Sequence, residues 1–306
     1  WPALRRGRPV PCASPRGARA MDSAGGGPDE ARSAAGVLLV CLYGSGLTPA
    51  QGRAQLEGFM QSALEAGFED QLVLDHFSLA GEGCPDFPEL VGRMVAHIDE
   101  DPKHKDKPLV ILSHSAGAVY SWFLLKRLGP RVLKFYPVAC RPPLKGCMVD
   151  VWGVDTYAKL AKFDDAKLLK GMVEAWPSDF LAMFKSMPPE KWPPMVKDVV
   201  DLARSQYCSP LLPMGPKDLK DLKAADPASF QSASVPILAV AAEKELKFGE
   251  TPARVKKWKD LTTADFDMKV IEGADHFSII TETKASKDIC RETHALVLAD
   301  MAQFLK

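Results

Sequence analysis

The chain has 306 residues, of which 46% are hydrophobic and 25% are charged, proportions that are ordinary for a globular protein. Lys and Arg together number 39, as do Asp and Glu, so the formal charge is zero and no global charge favours nucleic acid. The longest apolar runs, such as residues 37–43, are far shorter than the ~20 residues of a membrane-spanning helix. We therefore expect no nucleic-acid partner and no membrane span.

The first 33 residues differ in composition from the rest of the chain. They contain many arginines and a run of three glycines, with almost no aliphatic periodicity. This composition predicts a disordered or non-native tail. An Arg-rich, acid-poor start is also typical of an organelle import segment, and Met21 is an alternative first residue.

The seven cysteines favour a cytoplasmic location. They are odd in number and scattered, without a C-x-x-C pair, and together with the six histidines they show no spacing typical of a metal site. The chain also lacks Asn, so it cannot carry an N-linked glycan. Reduced thiols and no bound metal are the expected state.

From Gly36 onwards, short apolar runs alternate with helical patterns, which is typical of a mostly parallel sheet with crossover helices. We predict one α/β domain over residues 34–306. The predicted strands are residues 36–42, 72–75, 109–112, 132–138, 235–241 and 267–271, and the predicted helices are residues 50–66, 87–99, 116–128, 250–261 and 288–304.

Residues from about 150 to 232 interrupt this alternation. They show several amphipathic helical patterns and no convincing strand, which predicts a helical lid insert over the carboxyl edge of the sheet. Among its apolar residues, Trp176, Phe180 and Phe184 are candidate substrate contacts. The alternative is that these side chains pack the insert onto the core.

The most informative segment runs from Leu109 to Tyr120. An apolar strand leads through Ser-His-Ser-Ala-Gly at residues 113–117 into a helix, so Ser115 occupies the position at which an α/β-hydrolase carries its nucleophile. Small residues two positions before and after such a serine are needed because the turn is crowded. Ser115 is therefore the candidate nucleophile.

A serine hydroxyl becomes a nucleophile only when a base removes its proton. His276 lies in Gly273-Ala-Asp-His-Phe277, which follows the last predicted strand, so its imidazole can reach the same edge of the sheet. The carboxylate that orients this base is expected after the strand at 235–241. Glu245 is our choice, Glu243 is the alternative, and Asp150 and Asp155 are weaker candidates.

Acyl transfer also requires donors for the developing oxyanion. The Gly-rich turn after the first strand predicts that the backbone N–H groups of Gly44 and Ala116 supply them. Further candidate substrate contacts flank these residues, namely Tyr43, His114 and Phe277.

Four stretches of the chain resemble the type II thioesterases, stand-alone α/β-hydrolases that serve polyketide, nonribosomal-peptide and fatty-acid synthases. The most specific is Trp258 and Thr262, a W-x-x-x-T pattern, followed by residues 273–277. Residues 39–46 stand in place of the family's P-Y-A-G-G turn, residues 81–83 resemble its P-G-R-G turn, and residues 113–117 its serine segment. The resemblance extends from Gly36 to the C-terminus, with the insert as the family's helical lid.

This resemblance implies hydrolysis of acyl thioesters on the phosphopantetheine arm of an acyl carrier protein or carrier domain, including release of stalled acyl groups. It assigns Ser115 as nucleophile, His276 as base, Glu245 in place of the family's aspartate, and Gly44 and Ala116 as oxyanion donors, with no metal or redox cofactor. The chain departs from the family pattern at Leu42 (Pro), Ser113 (Gly) and Glu245 (Asp), and by one extra residue before His276.

Two other functions fit the same residues. A carboxylesterase or lipase-like hydrolase would use the same serine, base and acid on an oxygen ester. A non-catalytic binding protein of hydrolase fold is suggested by the irregular residues at positions 113 and 245.

Overall fold

The computed structural model describes residues 36–45, 47–80, 87–143, 162–175, 179–207, 231–245 and 250–305. Several predictions lie outside the described residues: the N-terminal tail, the turn at residues 81–83, and the candidates Asp150, Asp155 and Trp176. The boundaries predicted for the domain and for the lid insert stay predictions.

Six parallel strands form one sheet in the order β2-β1-β3-β4-β5-β6. This confirms the predicted parallel sheet. The register pairs Leu42 with Ser113 and His114 with Val138, so the carboxyl ends of the central strands meet at one edge. The strands are β1 (Leu38–Leu42), β2 (Gln71–Val73), β3 (Leu109–His114), β4 (Val132–Val138), β5 (Ile237–Ala242) and β6 (Phe266–Ile271).

Helices connect these strands, and the sequence contains residues that start and end them. The first begins with a capping box, in which the Thr48 hydroxyl accepts from Gln51 N and the Gln51 side chain accepts from Thr48 N. The helices are α1 (Pro49–Glu65), α2 (His76–Leu79), α3 (Phe87–Glu100), α4 (Ala116–Leu128), α5 (Asp165–Ala175), α6 (Asp179–Ala182), α7 (Pro194–Tyr207), α8 (Pro252–Val255) and α9 (Lys287–Met301).

Two of the differences between the predicted and the observed elements have a local cause. Strand β2 ends at Val73, before Asp75, because the Asp75 carboxylate instead accepts from Ser78 N and caps α2. The helix predicted at residues 250–261 is divided into α8 and a 3-10 helix, Lys256–Leu261. The buried residues Val255, Trp258 and Leu261 are spaced three positions apart. This spacing matches the three residues per turn of a 3-10 helix.

The central strands β1, β3 and β5 of the sheet are buried on both faces. Alternate residues of β1 and β3 contribute to two separate hydrophobic clusters, since successive side chains of a strand point to opposite faces. Trp122 and Trp258 pack in one cluster, and Phe59 of α1 and Met301 of α9 pack in the other. This two-sided burial explains why both strands read as continuous apolar runs.

The described part of the insert, residues 162–175 and 179–207, is helical, and it contains no strand. Helices α5 and α7 enclose a small apolar cluster of their own. Its buried members are Leu168, Leu169, Met172, Trp192, Val196, Val200 and Ala203. That these helices form a lid stays a prediction.

Candidate active site

Ser115 occupies a strained turn between β3 and α4. Its backbone has φ +52° and ψ −133°, a left-handed conformation that costs a non-glycine residue energy and is concentrated at functional sites. The turn is held in place by Ser115 N, which donates to Val138 O of the neighbouring strand at 3.0 Å. Ser115 is partly exposed, whereas the residues on either side of it are buried.

The residues two positions before and after Ser115 are small for identifiable reasons. A Cβ atom on Gly117 would lie 2.6 Å from Tyr43 O, so only glycine lets α4 pack this closely against the end of β1. Ser113, which departs from the expected glycine, is buried, and its hydroxyl lies 2.5 Å from the Ser121 hydroxyl of α4. The hydrogen bond between these hydroxyls accommodates Ser113 in this position.

The side chains of Ser115, His276 and Glu245 form a continuous chain of polar contacts. His276 Nε2 lies 2.9 Å from Ser115 Oγ, and His276 Nδ1 lies 2.7 Å from Glu245 Oε2. Ser115 follows β3, Glu245 follows β5 and His276 follows β6, so the carboxyl edge of the parallel sheet brings together residues 161 and 31 positions apart. His276 and Glu245 are both buried.

Glu243 and Glu245 occupy different environments although they are two residues apart. Glu243 is exposed, and its Oε2 accepts from Gly273 N at 2.9 Å. Lys244 N also donates to Ala274 O at 2.8 Å, so the loop after β5 is joined to the loop of His276. Of the two glutamates, Glu245 is the one whose carboxylate contacts the imidazole.

Gly44 approaches Ser115 more closely than a larger residue could. A Cβ atom at this position would lie 2.8 Å from Ser115 Cβ and 3.3 Å from its Oγ. Ala116 is the first residue of α4, where backbone N–H groups have no partner within the helix. Both backbones therefore border the Ser115 side chain, and their role as oxyanion donors stays a prediction.

Comparison with known proteins gives matches in structure alone, since no protein-family model and no curated protein matches the sequence. The RedJ thioesterase of the prodiginine pathway in Streptomyces coelicolor aligns with a TM-score of 0.56 and 19% identity over 93% of this chain and 96% of that one. ClbQ from the colibactin NRPS/PKS pathway aligns with a TM-score of 0.51 and 14% identity over 87% of this chain and 99% of its own. Est816, an N-acyl homoserine lactone degrading enzyme, aligns with a TM-score of 0.50 and 20% identity over 86% of this chain and 93% of its own.

These alignments cover most of each chain, and the parallel sheet carries its serine on a strand-to-helix turn. The fold is that of the α/β-hydrolases. The chain order Ser115, Glu245, His276 is also the order in which this fold presents its nucleophile, acid and histidine.

Within this hydrolase fold, two candidate substrate contacts require correction. Tyr43 is 0% exposed, and its hydroxyl donates to Asp75 Oδ1 at 2.6 Å. Its ring packs directly over Gly52, where a Cβ atom would lie 2.4 Å from it. His114 is 1% exposed, because the residue before Ser115 still belongs to β3 and its side chain points into the protein. Neither side chain offers a surface to a substrate.

The three phenylalanines predicted to contact substrate have different environments. Phe277 is 46% exposed, with its ring centroid 5.2 Å from that of His276, so it remains a candidate. Phe184 is partly buried against the cluster of the insert. Phe180 belongs to α6, but its side chain lies outside the described residues.

A buried ion pair beside the site was not predicted. Glu250 Oε2 accepts from Arg141 N at 2.7 Å, and its Oε1 accepts from Arg141 Nε at 3.1 Å and from Nη2 at 2.7 Å. Burial raises the pKa of Glu250, while the charges of Arg141 and His276 act in the opposite direction. The two residues are 109 positions apart and belong to no motif, so the sequence contains no signal for this pair.

Two further properties concern the described residues only. They contain no group of three or more His, Cys, Asp or Glu side chains arranged to hold a metal ion. Among the helices given above, none has the length and apolar character needed to cross a bilayer.

Proposed function

We propose that the protein is a serine hydrolase that cleaves acyl thioesters. The observation that carries this proposal is the chain of contacts from Ser115 Oγ through His276 to Glu245, with the serine on a strained strand-to-helix turn. Such a constellation activates a hydroxyl for acyl transfer. Ser115 is the proposed nucleophile, His276 the base and Glu245 the orienting acid.

In the first half of the reaction, His276 Nε2 takes the proton of Ser115 Oγ as the oxygen attacks the thioester carbonyl. Glu245 accepts the Nδ1–H of the same ring and stabilises the imidazolium that forms. The backbone N–H groups of Gly44 and Ala116 donate to the oxyanion, and each such donor is worth about 2.7 to 4 kcal/mol. The imidazolium then protonates the departing thiolate, which leaves an acyl ester on Ser115.

In the second half, water replaces the thiol. His276 removes a proton from the water as its oxygen attacks the acyl ester, and the proton passes to Ser115 when the carboxylic acid leaves. The proposal assigns no metal ion or redox cofactor to either half.

The choice of a thioester rests on two observations from comparison. The sequence stretches described above resemble the type II thioesterases, and RedJ, a thioesterase, has the same fold. ClbQ, from an NRPS/PKS pathway, is also similar in structure. We therefore propose that the acyl group is presented on the phosphopantetheine arm of a carrier protein or carrier domain, and that its hydrolysis releases or edits acyl chains.

A second candidate function is hydrolysis of oxygen esters. It is favoured by the structural similarity to Est816, which degrades N-acyl homoserine lactones. The same serine, histidine and glutamate would act, and the leaving group would be an alcohol in place of a thiol.

The test compares wild type with Ser115→Ala on acyl-pantetheine, acyl-carrier-protein and nitrophenyl ester substrates of equal acyl length. We expect thioester hydrolysis by wild type and about a 10⁶-fold lower kcat for the variant, as for removal of a nucleophile elsewhere. Turnover retained by Ser115→Ala would reject the assignment. A preference for the nitrophenyl ester would favour the second candidate. Failure of a serine-directed phosphonate to label Ser115 would favour the non-catalytic binding protein.

A further inference from the structure

His114 makes a contact that the proposed mechanism does not use. Its Nε2 lies 2.8 Å from the backbone carbonyl oxygen of His276, although the two residues are 162 positions apart in the sequence. Both residues are buried. The contact therefore joins the end of β3, which leads into Ser115, directly to the loop that carries the proposed base.

The partner in this contact fixes the tautomer of His114. A carbonyl oxygen only accepts hydrogen bonds, so Nε2 must carry the proton and donate. Burial lowers the pKa of His114 to about 3, with a smaller contribution from the nearby His276, so the ring is neutral near pH 7. His114 is thus a neutral donor of defined orientation in this site.

Other hydrogen bonds of the His276 loop hold residues on either side of position 276. Ala274 O accepts from Lys244 N at 2.8 Å, and Asp275 Oδ1 accepts from Ser278 N at 2.8 Å. The contact from His114 is made to His276 itself. The two imidazole rings also pack against each other, with centroids 4.9 Å apart. The backbone orientation from which the His276 side chain projects is therefore set in part by His114.

We propose that His114 is a positioning residue that holds the His276 carbonyl, and through it keeps the imidazole within reach of Ser115 Oγ. This inference rests on the proposed function and adds a role for a buried side chain that exchanges no proton in the proposed reaction. The decisive property is the donor at Nε2, since an apolar ring of similar size would fill the same space without holding the carbonyl.

Three substitutions of His114 distinguish the effect of its hydrogen-bond donor from the effect of its side-chain volume. His114→Gln keeps an N–H donor at the end of a chain of comparable reach, whereas His114→Phe and His114→Met fill the space without a donor. The matched control is His104→Phe, which replaces another buried histidine on the loop that precedes β3, at the opposite edge of the sheet. Thermal unfolding of every variant shows which of them are folded.

The first readout is steady-state kinetics on the thioester substrate. We expect His114→Phe and His114→Met to lower kcat about 10- to 100-fold with KM almost unchanged, because a small misplacement of a reacting group has an effect of this size. His114→Gln should recover most of kcat, and His104→Phe should match wild type. Full kcat in both donor-free variants overturns the inference, as does a loss in His114→Gln equal to theirs.

The second readout does not require turnover. The proton shared by His276 Nδ1 and Glu245 should give a downfield proton resonance in the NMR spectrum of wild type, since it lies in a 2.7 Å contact. We expect this resonance to shift or broaden in His114→Phe and to return in His114→Gln. An unchanged resonance in His114→Phe contradicts the inference. If wild type hydrolyses no substrate, the proposed function fails, and the resonance still decides whether His114 positions His276.

Discussion

The carboxyl edge of the sheet and the helical insert are built by different kinds of interaction. At the sheet edge, single atoms set the geometry: Ser115 N donates to Val138 O, and His276 Nδ1 contacts Glu245 Oε2. In the insert, α5 and α7 enclose a cluster of apolar side chains such as Leu168 and Val200. Hydrogen bonds are directional and packing depends on volume, so the edge should tolerate few substitutions and the insert many.

Among the substitutions that test this contrast, the largest effect is expected at the proposed acid. Glu245→Gln removes the negative charge beside His276 Nδ1, and we expect kcat to fall about 10⁴-fold, as when an orienting carboxylate becomes an amide in a comparable triad. Glu243→Gln is the matched control, because its amide oxygen can still accept from Gly273 N. Kinetics on the thioester substrate measure both variants. An equal loss of kcat in Glu245→Gln and Glu243→Gln would contradict the assignment of Glu245 as the acid from its contact with His276.

The next effect tests whether the insert is energetically separate. Leu168 is fully buried in the cluster of the insert, so Leu168→Ala should destabilise that cluster by about 2 to 5 kcal/mol. Amide hydrogen exchange should become faster in α5 and α7 and stay unchanged in β1 and β3. Phosphonate labelling of Ser115 should keep its rate. Equal acceleration of exchange in the strands would contradict the contrast between the two regions.

A pair of glycine substitutions measures how tightly the sheet edge is packed. Gly117→Ala brings a Cβ atom 2.6 Å from Tyr43 O, so we expect the free energy of unfolding to fall by about 1 to 3 kcal/mol. Gly92 in α3 is exposed, with no heavy atom within 4 Å of its Cβ position. Gly92→Ala should therefore raise the free energy of unfolding by about 0.5 to 1 kcal/mol. Urea denaturation measures the change in the free energy of unfolding for each variant. A stabilising effect of Gly117→Ala would contradict the close packing of Gly117 against Tyr43 O.

The effect that is smallest per step of the experiment is a dependence of stability on pH. Burial lowers the pKa of His76 to about 4, so this residue stays neutral in the folded protein while the unfolded chain takes up a proton near pH 6.5. The free energy of unfolding should therefore fall as the pH drops from about 6.5 to 4, by up to about 1.4 kcal/mol per pH unit from this residue. Burial also lowers the pKa of His114, so this residue too lowers the free energy of unfolding as the pH falls.

His76→Phe tests this dependence, because the ring of His76 already stacks on Phe77 with centroids 4.1 Å apart. Urea midpoints at pH 5, 6 and 7 should show a weaker pH dependence in the variant than in wild type. Above pH 7 the two should follow parallel curves. An identical slope between pH 5 and 6 would exclude His76 as a source of the effect.

The sheet could be predicted from the sequence because its signals are local. Parallel strands buried on both faces read as uninterrupted apolar runs, and β4 was predicted with the bounds that the structure gives. The helix after Ser115 was also predicted from Ala116 to Leu128, since Gly129 and Pro130 end it and Gly129 adopts φ +59°.

The details of the site depend on contacts between distant residues, so the sequence left them open. Nothing local distinguishes Glu243 from Glu245, and the difference arises from a hydrogen bond between Glu243 and Gly273, 30 residues away. Tyr43 and His114, which neighbour Gly44 and Ser115, are among the residues predicted to contact substrate. Their side chains point inward, and a one-residue change of position along a strand reverses the face.

The buried pair of Arg141 and Glu250 has a consequence for how this architecture can be altered. Arg141 follows β4 before the predicted insert begins, and its backbone N–H and guanidinium group donate to the Glu250 carboxylate. At the other end, Ala233 exchanges backbone hydrogen bonds with Leu261 and Thr263, at 2.9 Å each, before β5 begins. Each stem is thus anchored by hydrogen bonds to residues that lie outside the predicted insert. We therefore expect that exchanging the residues between the two stems for those of another hydrolase leaves the contacts among Ser115, His276 and Glu245 in place.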